Sequence, residues 1–412
     1  MRILYVSQYF PPEPGAPAAR VSELSHHWAE AGHDVTVLTG FPNHPTGKLF
    51  TEYRGRFRRG TVRERHGKVD VVRTWLLPLP NARPHERVFN YTSFCISAAL
   101  RGLFLSRPQV VIATTPQLLV GIAGWLIARA KRASFVLEVR DIWPDAILAS
   151  GVGSENGIMA KALSAISRFL YKRADLIVVV TPAFERELKE KWSVPASRIT
   201  VVQNGVETSL FEGISPSPAT AESFTVAYVG TVGLAHGIRT ILDAAESMKV
   251  PYPEVRFVIV GEGAERKALE KEAFEAGITN VTFAESLPRS EIPRILSESD
   301  VCLVLLKRAE IFKTVIPTKM LEFMAAGRPV VLGVEGQAKE LLEAAGAGLT
   351  IEPEDAAGLE EALLRLKNDP SLRRQLGASG RRYVTEHLTR EATARSYASV
   401  LAALIDDHGK RV

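Results

Sequence analysis

At 412 residues, with 46% hydrophobic and 24% charged side chains, the sequence has the composition of a globular protein with material for two or three domains. No run reaches the roughly 18 apolar residues that a spanning helix needs, MRILYVSQYFPP is too short an apolar start for a signal peptide, and Cys95 and Cys302 lie in separate apolar runs that read as buried, reduced thiols. The net charge of +5 is uneven: residues 1–205 hold 27 Lys and Arg against 16 Asp and Glu, a net of +11, while residues 206–412 hold 24 against 30, a net of −6.

In chain order, apolar β-rich runs alternate with helical patterns. ILYVSQY reads as the first strand. PPEPGAPAAR, residues 11–20, joins it to the helical stretch PAARVSELSHHWAEAG; Gly15 would let the backbone approach a ligand, and a proline-stiffened turn accounts equally for the segment. DVTVLTG is the next strand and ends in GFPNHPTGK, residues 40–48. His44 there is able to titrate near neutrality, although a lone loop histidine is more often structural. RGRFRRGTVRERHGK, residues 54–68, is a basic run of the kind that usually forms a solvated face. VDVVRTW, QVVIATT, SFVLEV, DLIVVVT and ITVVQNG complete the first series of strands. TTPQLLVGIAGWLIA, before Arg129, is bounded by turn signals and reads as a buried or interfacial helix.

The strand SFVLEV runs into EVRDIWPD, residues 138–145, which clusters Glu138, Arg140, Asp141 and Asp145. Ligands of parallel sheets bind beyond the carboxyl ends of the strands, so charges placed there favour a functional reading.

VETSLFEGISPSPATAES, residues 206–223, is Pro- and Ser-rich and breaks the pattern as a linker. The alternation then restarts with FTVAYVG, VRFVIVG, VTFAE, DVCLVLL and RPVVLG. Val/Ile/Leu-rich strands alternating with helices indicate parallel sheets covered on both faces. The fold class is therefore α/β, with two doubly wound, Rossmann-like domains in tandem over residues 1–205 and 206–390 and the site expected in the cleft between them. The last helix, from about Glu391, has no strand after it.

In the second half, GTVGLAHG, residues 230–237, follows a strand. Gly230 and Gly233 would allow close approach to a diphosphate, although many α/β loops are Gly-rich without a ligand. GEGAER offers Gly261 as a donor contact, but it lacks the third glycine of a dinucleotide fingerprint, and a plain strand–helix turn is the more frequent meaning of such a segment. No GxxxxGK[ST] loop occurs, against a P-loop ATPase. PTKMLEFMAAGRPVV, residues 317–331, reads as helix, Gly-Arg-Pro, strand. Thr318 and Lys319 open the helix, where unpaired amides attract phosphate. Glu322 lies one turn in, where it would accept hydrogen bonds from a ribose diol or simply sit on a half-exposed face. No Cys/His cluster has metal-ligand spacing and no Asp-x-Asp occurs, so a metal-dependent site is disfavoured.

LEFMAAGRPVV and NGVE, with YFPPEPGAPAARVSEL, TGFPNHPTGK and EVRDIWPD, resemble the retaining family-four glycosyltransferases of GT-B fold. Within these, the sequence is similar to a bacterial branch of fucosamine and colanic acid transferases. The resemblance implies that Glu322 holds the donor ribose, that Gly15 lies near the donor phosphate and sugar, that Ser286 and Leu287 frame the base, and that the final helix crosses back onto the first domain. Three departures stand out. The family's first glutamate falls on Thr314, the Arg and Lys of its Gly loop fall on Thr231 and His236, and its usual His before Asp falls on Arg140.

The implied reaction is retaining transfer from a nucleotide-diphosphate sugar, a UDP-N-acetylamino sugar, to a polyprenyl-diphosphate-linked or saccharide acceptor, with no cofactor and no metal. Lys319, Arg140 and the Gly230–Gly233 amides would meet the leaving diphosphate, and Asp141 or Glu138 would orient the acceptor hydroxyl or take its proton. The basic first half suits the anionic inner face of the cell membrane, with an apolar helix such as Leu118–Ala128 at the interface. A non-hydrolysing nucleotide-sugar epimerase and a non-catalytic nucleotide-sugar-binding protein are the rival readings.

Overall fold

The computed structural model describes residues 1–80, 83–145, 148, 157–215 and 223–411. The described residues of Met1–Leu148, Val152–Gln203 and Glu391–Val412 form one compact unit, and those of Asn204–Arg390 form another. Of the Pro/Ser-rich linker, residues 216–222 lie outside the described residues.

The first unit is built on one eight-stranded sheet. Its strands are β1 (Arg2–Val6), β2 (Asp34–Gly40), β3 (Thr61–His66), β4 (Val69–Thr74), β5 (Val110–Thr114), β6 (Ser134–Val139), β7 (Leu176–Val179) and β8 (Ile199–Val201), in the order β3-β4-β2-β1-β5-β6-β7-β8. All neighbours are parallel except β3 and β4. Every residue of β5 and of β6 is buried, as a central parallel strand requires. The chain leaves β1 toward β2 on one side and reaches β5 on the other, so the crevice beyond the carboxyl ends of β1 and β5 is the switch point where such sheets bind ligands.

The basic run is a solvated face, and it contains a strand that the alternation of apolar runs does not reveal. Part of it, TVRERH, is the antiparallel edge strand β3. Its exposed Arg63 and Arg65 place charge along an open sheet edge, which discourages pairing with another chain. Of the two readings of the apolar segment before Arg129, buried or interfacial, the buried one describes most of it. The helix Leu119–Lys131 buries Val120, Ala123 and Ile127 completely, because its apolar residues cover the sheet. Of that helix's large apolar side chains Leu126 is exposed, and a longer series of exposed apolar side chains lies on the helix Pro84–Leu103 and just after it: Val88, Phe89, Ile96, Leu100, Leu103 and Phe104. No described helix is long and apolar enough to cross a membrane. The helix Arg390–Arg411 packs on the first unit: Ala394 O accepts from Trp28 Nε1 at 2.9 Å, and Tyr397 stands edge-on to Trp28.

The second unit has six parallel strands, β9 (Phe224–Val229), β10 (Val255–Val260), β11 (Val281–Ala284), β12 (Val301–Leu305), β13 (Val330–Gly333) and β14 (Gly348–Thr350), in the order β11-β10-β9-β12-β13-β14. Its switch point lies between β9 and β12, so the GTVGLAHG loop that leaves β9 stands at it. The loop that leaves β12 is tied there by Lys307 N donating to Ala235 O at 2.9 Å. Both cysteines are buried and reduced.

Candidate functional site

In the first unit, the switch-point residues are held by buried ionic contacts. Arg20, on the helix Ala16–Glu30 that starts after Gly15, donates through Nη2 to Glu138 Oε1 at 2.8 Å, and Tyr5 Oη donates to Glu138 Oε2 at 2.7 Å. Burial is the largest single influence and would raise the Glu138 carboxyl, but the Arg20 and Arg140 charges together with hydrogen bonds from Arg20 and Thr114 outweigh it and hold Glu138 below the usual range. Glu138 is fully buried and committed to these partners. Its expected share in proton transfer is therefore corrected to a positioning role. Asp141 is half-buried, and burial raises it to about 6 against the opposing pull of Arg140. That value suits a group that must take a proton near neutrality. Thr115 Oγ1, at the end of β5, accepts from Arg140 N at 2.7 Å and from Asp141 N at 3.3 Å, so one hydroxyl fixes both residues. Arg140 Nε and Nη1 have no hydrogen-bond partner among the described residues. Asp145 is drawn away by an ion pair with Lys191.

Gly15 is exposed at φ +104°, with only Pro17 Cδ near the place of a side chain, so the position needs glycine for its backbone and leaves room beside the helix start. Sequence reasoning passed over Glu13 in the same loop. Its buried carboxylate accepts from Asn43 N and His44 N, both at 2.9 Å, and from Phe10 N at 3.4 Å. Glu13 thereby ties the Gly15 loop to the His44 loop, and burial raises it to about 7 against those bonds. The signal was a charged residue between two prolines, but its partners lie about thirty positions downstream. Burial lowers the His44 pKa.

In the second unit, Gly230, Thr231, Gly233, His236 and Lys319 come together. A side chain on Gly230 would stand 3.2 Å from Lys319 Nζ, and one on Gly233 would stand 3.5 Å from His236 Nδ1. Lys319 Nζ donates to Tyr228 Oη at 2.8 Å and lies 3.9 Å from the centre of that ring. Tyr228 Oη in turn donates to Thr231 O at 2.7 Å. Burial without a carboxylate partner lowers Lys319 to about 7. Burial first, and Lys319 second, lower His236 to about 3. His236 is therefore neutral near pH 7, and Lys319, at about 7, is the group of this cluster able to carry positive charge there.

Not every expected donor contact is available. Of the four Gly230–Gly233 amides, Gly230 N donates to Val260 O and Val232 N to Glu262 O, which leaves Thr231 and Gly233. Gly261 is corrected to a packing role. A side chain there would meet Gly230 O at 1.9 Å, and its amide donates to Ala284 O. Buried Arg266 secures the same turn by donating to Gly261 O and Ala284 O. Thr318 begins the helix Thr318–Ala325, whose N-cap Pro317 supplies no side-chain bond. Glu322 Oε1 pairs with Arg289 Nη2 at 3.0 Å. The carboxylate embedded in the apolar helix thus has a partner, and Arg289 follows the exposed Ser286 and half-buried Leu287 in the loop after β11. Tyr228 and Arg289 were both missed: the first reads as one more strand residue, the second as one more surface charge. No group of three or more His, Cys, Asp or Glu that could hold a metal occurs among the described residues.

Known proteins give the site its context. The family description "Glycosyl transferase 4-like domain" matches residues 15–205, and "Glycosyl transferases group 1" matches residues 214–383. The chain is 25% identical, over 90% of its length and 94% of the relative's, to the putative colanic acid biosynthesis glycosyl transferase WcaI of Escherichia coli. Among solved structures it superposes on the sucrose-phosphate synthase of Thermosynechococcus elongatus with a TM-score of 0.76 at 20% identity, covering 98% of this chain and 99% of that one. It also matches Anabaena Alr3699/HepE in complex with UDP and glucose, with a TM-score of 0.72 at 16% identity and coverage of 98% and 99%. The chain belongs to the glycosyltransferases that join a glycosyl transferase 4-like domain to a group 1 domain on a GT-B fold.

Proposed function

We propose that this glycosyltransferase is a retaining enzyme that moves a sugar from a nucleotide-diphosphate donor, a UDP-N-acetylamino sugar, to a polyprenyl-diphosphate-linked or saccharide acceptor in bacterial surface polysaccharide synthesis. The observation that carries the reading is the half-buried Lys319 ammonium, which has no carboxylate partner among the described residues and stands beside Gly230 at a helix start. A cation left unneutralised next to a Gly-rich turn and free helix amides suits a diphosphate. The likeness to a UDP complex and to a colanic acid transferase supports the donor and pathway classes.

In this reading the second unit binds the donor. Lys319 and the Thr231 and Gly233 amides meet the charge that develops on the leaving diphosphate, and Glu322 accepts from the ribose hydroxyls. The first unit receives the acceptor. The acceptor oxygen bonds to the anomeric carbon on the face from which the diphosphate departs with its electron pair. The hydroxyl proton goes to Asp141, which Thr115 and Arg140 hold in place. No divalent metal takes part, because protein groups supply the positive charge. The chain works at the inner face of the cell membrane, with its basic first unit on the lipid.

The test is product analysis. The chain is incubated with UDP-N-acetylamino sugars alone, then with added lipid extract, both in chelator. A glycosylated lipid formed only with the extract is expected. Epimerised donor without acceptor would replace this reading with an epimerase, and bound but unaltered donor would replace it with a sensor. Activity lost in chelator and restored by manganese or magnesium would overturn the metal-free mechanism.

A further inference from the structure

We infer that Arg289 is a positioning residue for the ribose site: it sets the Glu322 carboxylate before the nucleotide arrives and thereby tunes the enzyme's preference for ribonucleotides. The inference rests on the proposed ribose role of Glu322.

Glu322 projects from a helix whose other side chains are locked. Met320, Leu321, Phe323 and Met324 are all buried in the core of the second unit. The backbone under Glu322 is therefore fixed, but a glutamate side chain still has three rotatable bonds. A carboxylate that must accept from two adjacent hydroxyls loses affinity if it is oriented only on binding. Arg289 removes that freedom in advance through the 3.0 Å Nη2–Oε1 contact. Its own backbone is constrained, since it follows Pro288 and opens the short helical turn Arg289–Glu291. The pair is partly exposed, with Glu322 at 18% and Arg289 at 36%, so it is reachable by a ligand. Arg289 also offsets a negative charge on the same short helix that presents Lys319 to a diphosphate. Finally, it carries the loop of Ser286 and Leu287, so the contact fixes that loop relative to the ribose carboxylate.

A competitor for Glu322 and a positioner of Glu322 make opposite predictions. Removing a competitor tightens nucleotide binding, whereas removing a positioner weakens it and flattens the discrimination between ribose and deoxyribose. The probes are UDP and 2′,3′-dideoxy-UDP, titrated by calorimetry into the full chain and its Arg289→Ala, Arg289→Lys and Glu322→Gln variants, with thermal melting as a check on folding. Arg289→Ala is expected to weaken UDP about fivefold while barely moving dideoxy-UDP, with Arg289→Lys in between, as loss of preorganisation predicts. In turnover the change should fall on KM and spare kcat, because the contact serves ground state and transition state alike. A UDP to dideoxy-UDP ratio unchanged in Arg289→Ala but abolished in Glu322→Gln would overturn the inference and leave the ribose site standing. A ratio untouched in Glu322→Gln would sink the ribose reading and the inference with it. Tighter UDP binding by Arg289→Ala would make Arg289 a competitor.

Discussion

Glu138 in the first unit and Glu322 in the second both stand beyond or at the carboxyl ends of strands, and the two units treat them in opposite ways. Glu138 is fully buried, gripped by Arg20 and Tyr5, and held ionised. Glu322 keeps 18% of its side chain exposed, on a short helix, with the Arg289 guanidinium across from it. A buried ion pair that is broken leaves an uncompensated charge in a medium that solvates it poorly, whereas an exposed pair returns its partner to water. The same residue type is therefore framework in one unit and a candidate ligand contact in the other. Burial together with the number of committed partners separates the two roles, and residue type alone does not.

The largest expected effect follows directly. Glu138→Ala should cost ~3–5 kcal/mol of stability, because it strands the Arg20 charge inside the first unit. Glu322→Ala should cost under ~1 kcal/mol, as exposed pairs do, yet weaken nucleotide binding by ~1–3 kcal/mol through lost hydrogen bonds to a charged group. Denaturant unfolding of both variants beside calorimetry with UDP makes the comparison. Equal stability losses would erase the distinction drawn between the two carboxylates, and unchanged UDP affinity in Glu322→Ala would remove it from the donor site.

How far the site could be read beforehand follows the same line. The α/β class was legible because buried parallel strands such as VVIAT and VCLVL write their burial into consecutive residues. The Gly230–His236 loop and the Thr318–Glu322 helix start were legible as local motifs. What stayed hidden was what each group touches. The Arg20–Glu138 contact spans 118 positions and the Lys319–Tyr228 contact spans 91, and no local pattern reports a partner that distant. The edge strand TVRERH was hidden for another reason. An edge strand has one side open to solvent, so it can be as charged as a loop.

Lys319 sharpens the comparison from the side of the cation. Arg20 is neutralised by its glutamate, while Lys319 has only a phenol and a ring beside it. Lys319→Ala should lower turnover ~10²–10³-fold, the scale for one preorganised group at a developing oxyanion, with the fold intact. A damaging His236→Ala beside a silent Lys319→Ala would reverse the assignment. The pH dependence has a definite sign. Burial lowers Lys319 from 10.5 to about 7 in the free protein, so below pH 7 the folded state bears the full cost of a buried charge, and that cost fades as pH rises toward 10.5. Lys319→Met should therefore raise the melting temperature of the ligand-free protein most below pH 7. Donor affinity runs the other way. A diphosphate selects the protonated amine, so affinity should be highest below pH 7 and fall above it, with proton uptake on binding. Calorimetry with a UDP-sugar in buffers of different ionisation enthalpy measures that uptake, and none at pH 8 would contradict the assignment.

The units differ on the outside too, and here the expected effects are smallest. The first half of the sequence carries +11 and the second −6, but part of the basic run is already answered. Arg56 faces Glu64 at 3.8 Å, Arg65 faces Asp70 at 3.7 Å and Lys68 meets Glu30 at 2.7 Å, while Arg54, Arg58, Arg59 and Arg63 enter no ion pair among the described residues. At about 1 kcal/mol for each basic residue near an anionic surface, these four would add ~4 kcal/mol at low salt, fading as the screening length shrinks. The apolar part belongs to the Pro84–Leu103 helix. Phe89, Ile96 and Leu100 are 58%, 56% and 57% exposed and recur at intervals of seven and four, one stripe of a helix. Trp75 links this helix to the helix Thr51–Phe57, which carries Arg54 and Arg56, stacking on Phe57 while its carbonyl accepts from Ser97. Charge and apolar surface thus adjoin, as a helix lying in a bilayer interface needs. Co-sedimentation with vesicles of graded anionic lipid separates the two parts. Neutralising Arg54, Arg58, Arg59 and Arg63 should remove most of the salt-sensitive binding, and Phe89→Ser with Ile96→Ser and Leu100→Ser should remove the part that survives high salt. Equal binding to neutral and anionic vesicles would discard the electrostatic part. Binding to neither would discard membrane docking and leave a soluble acceptor as the better reading.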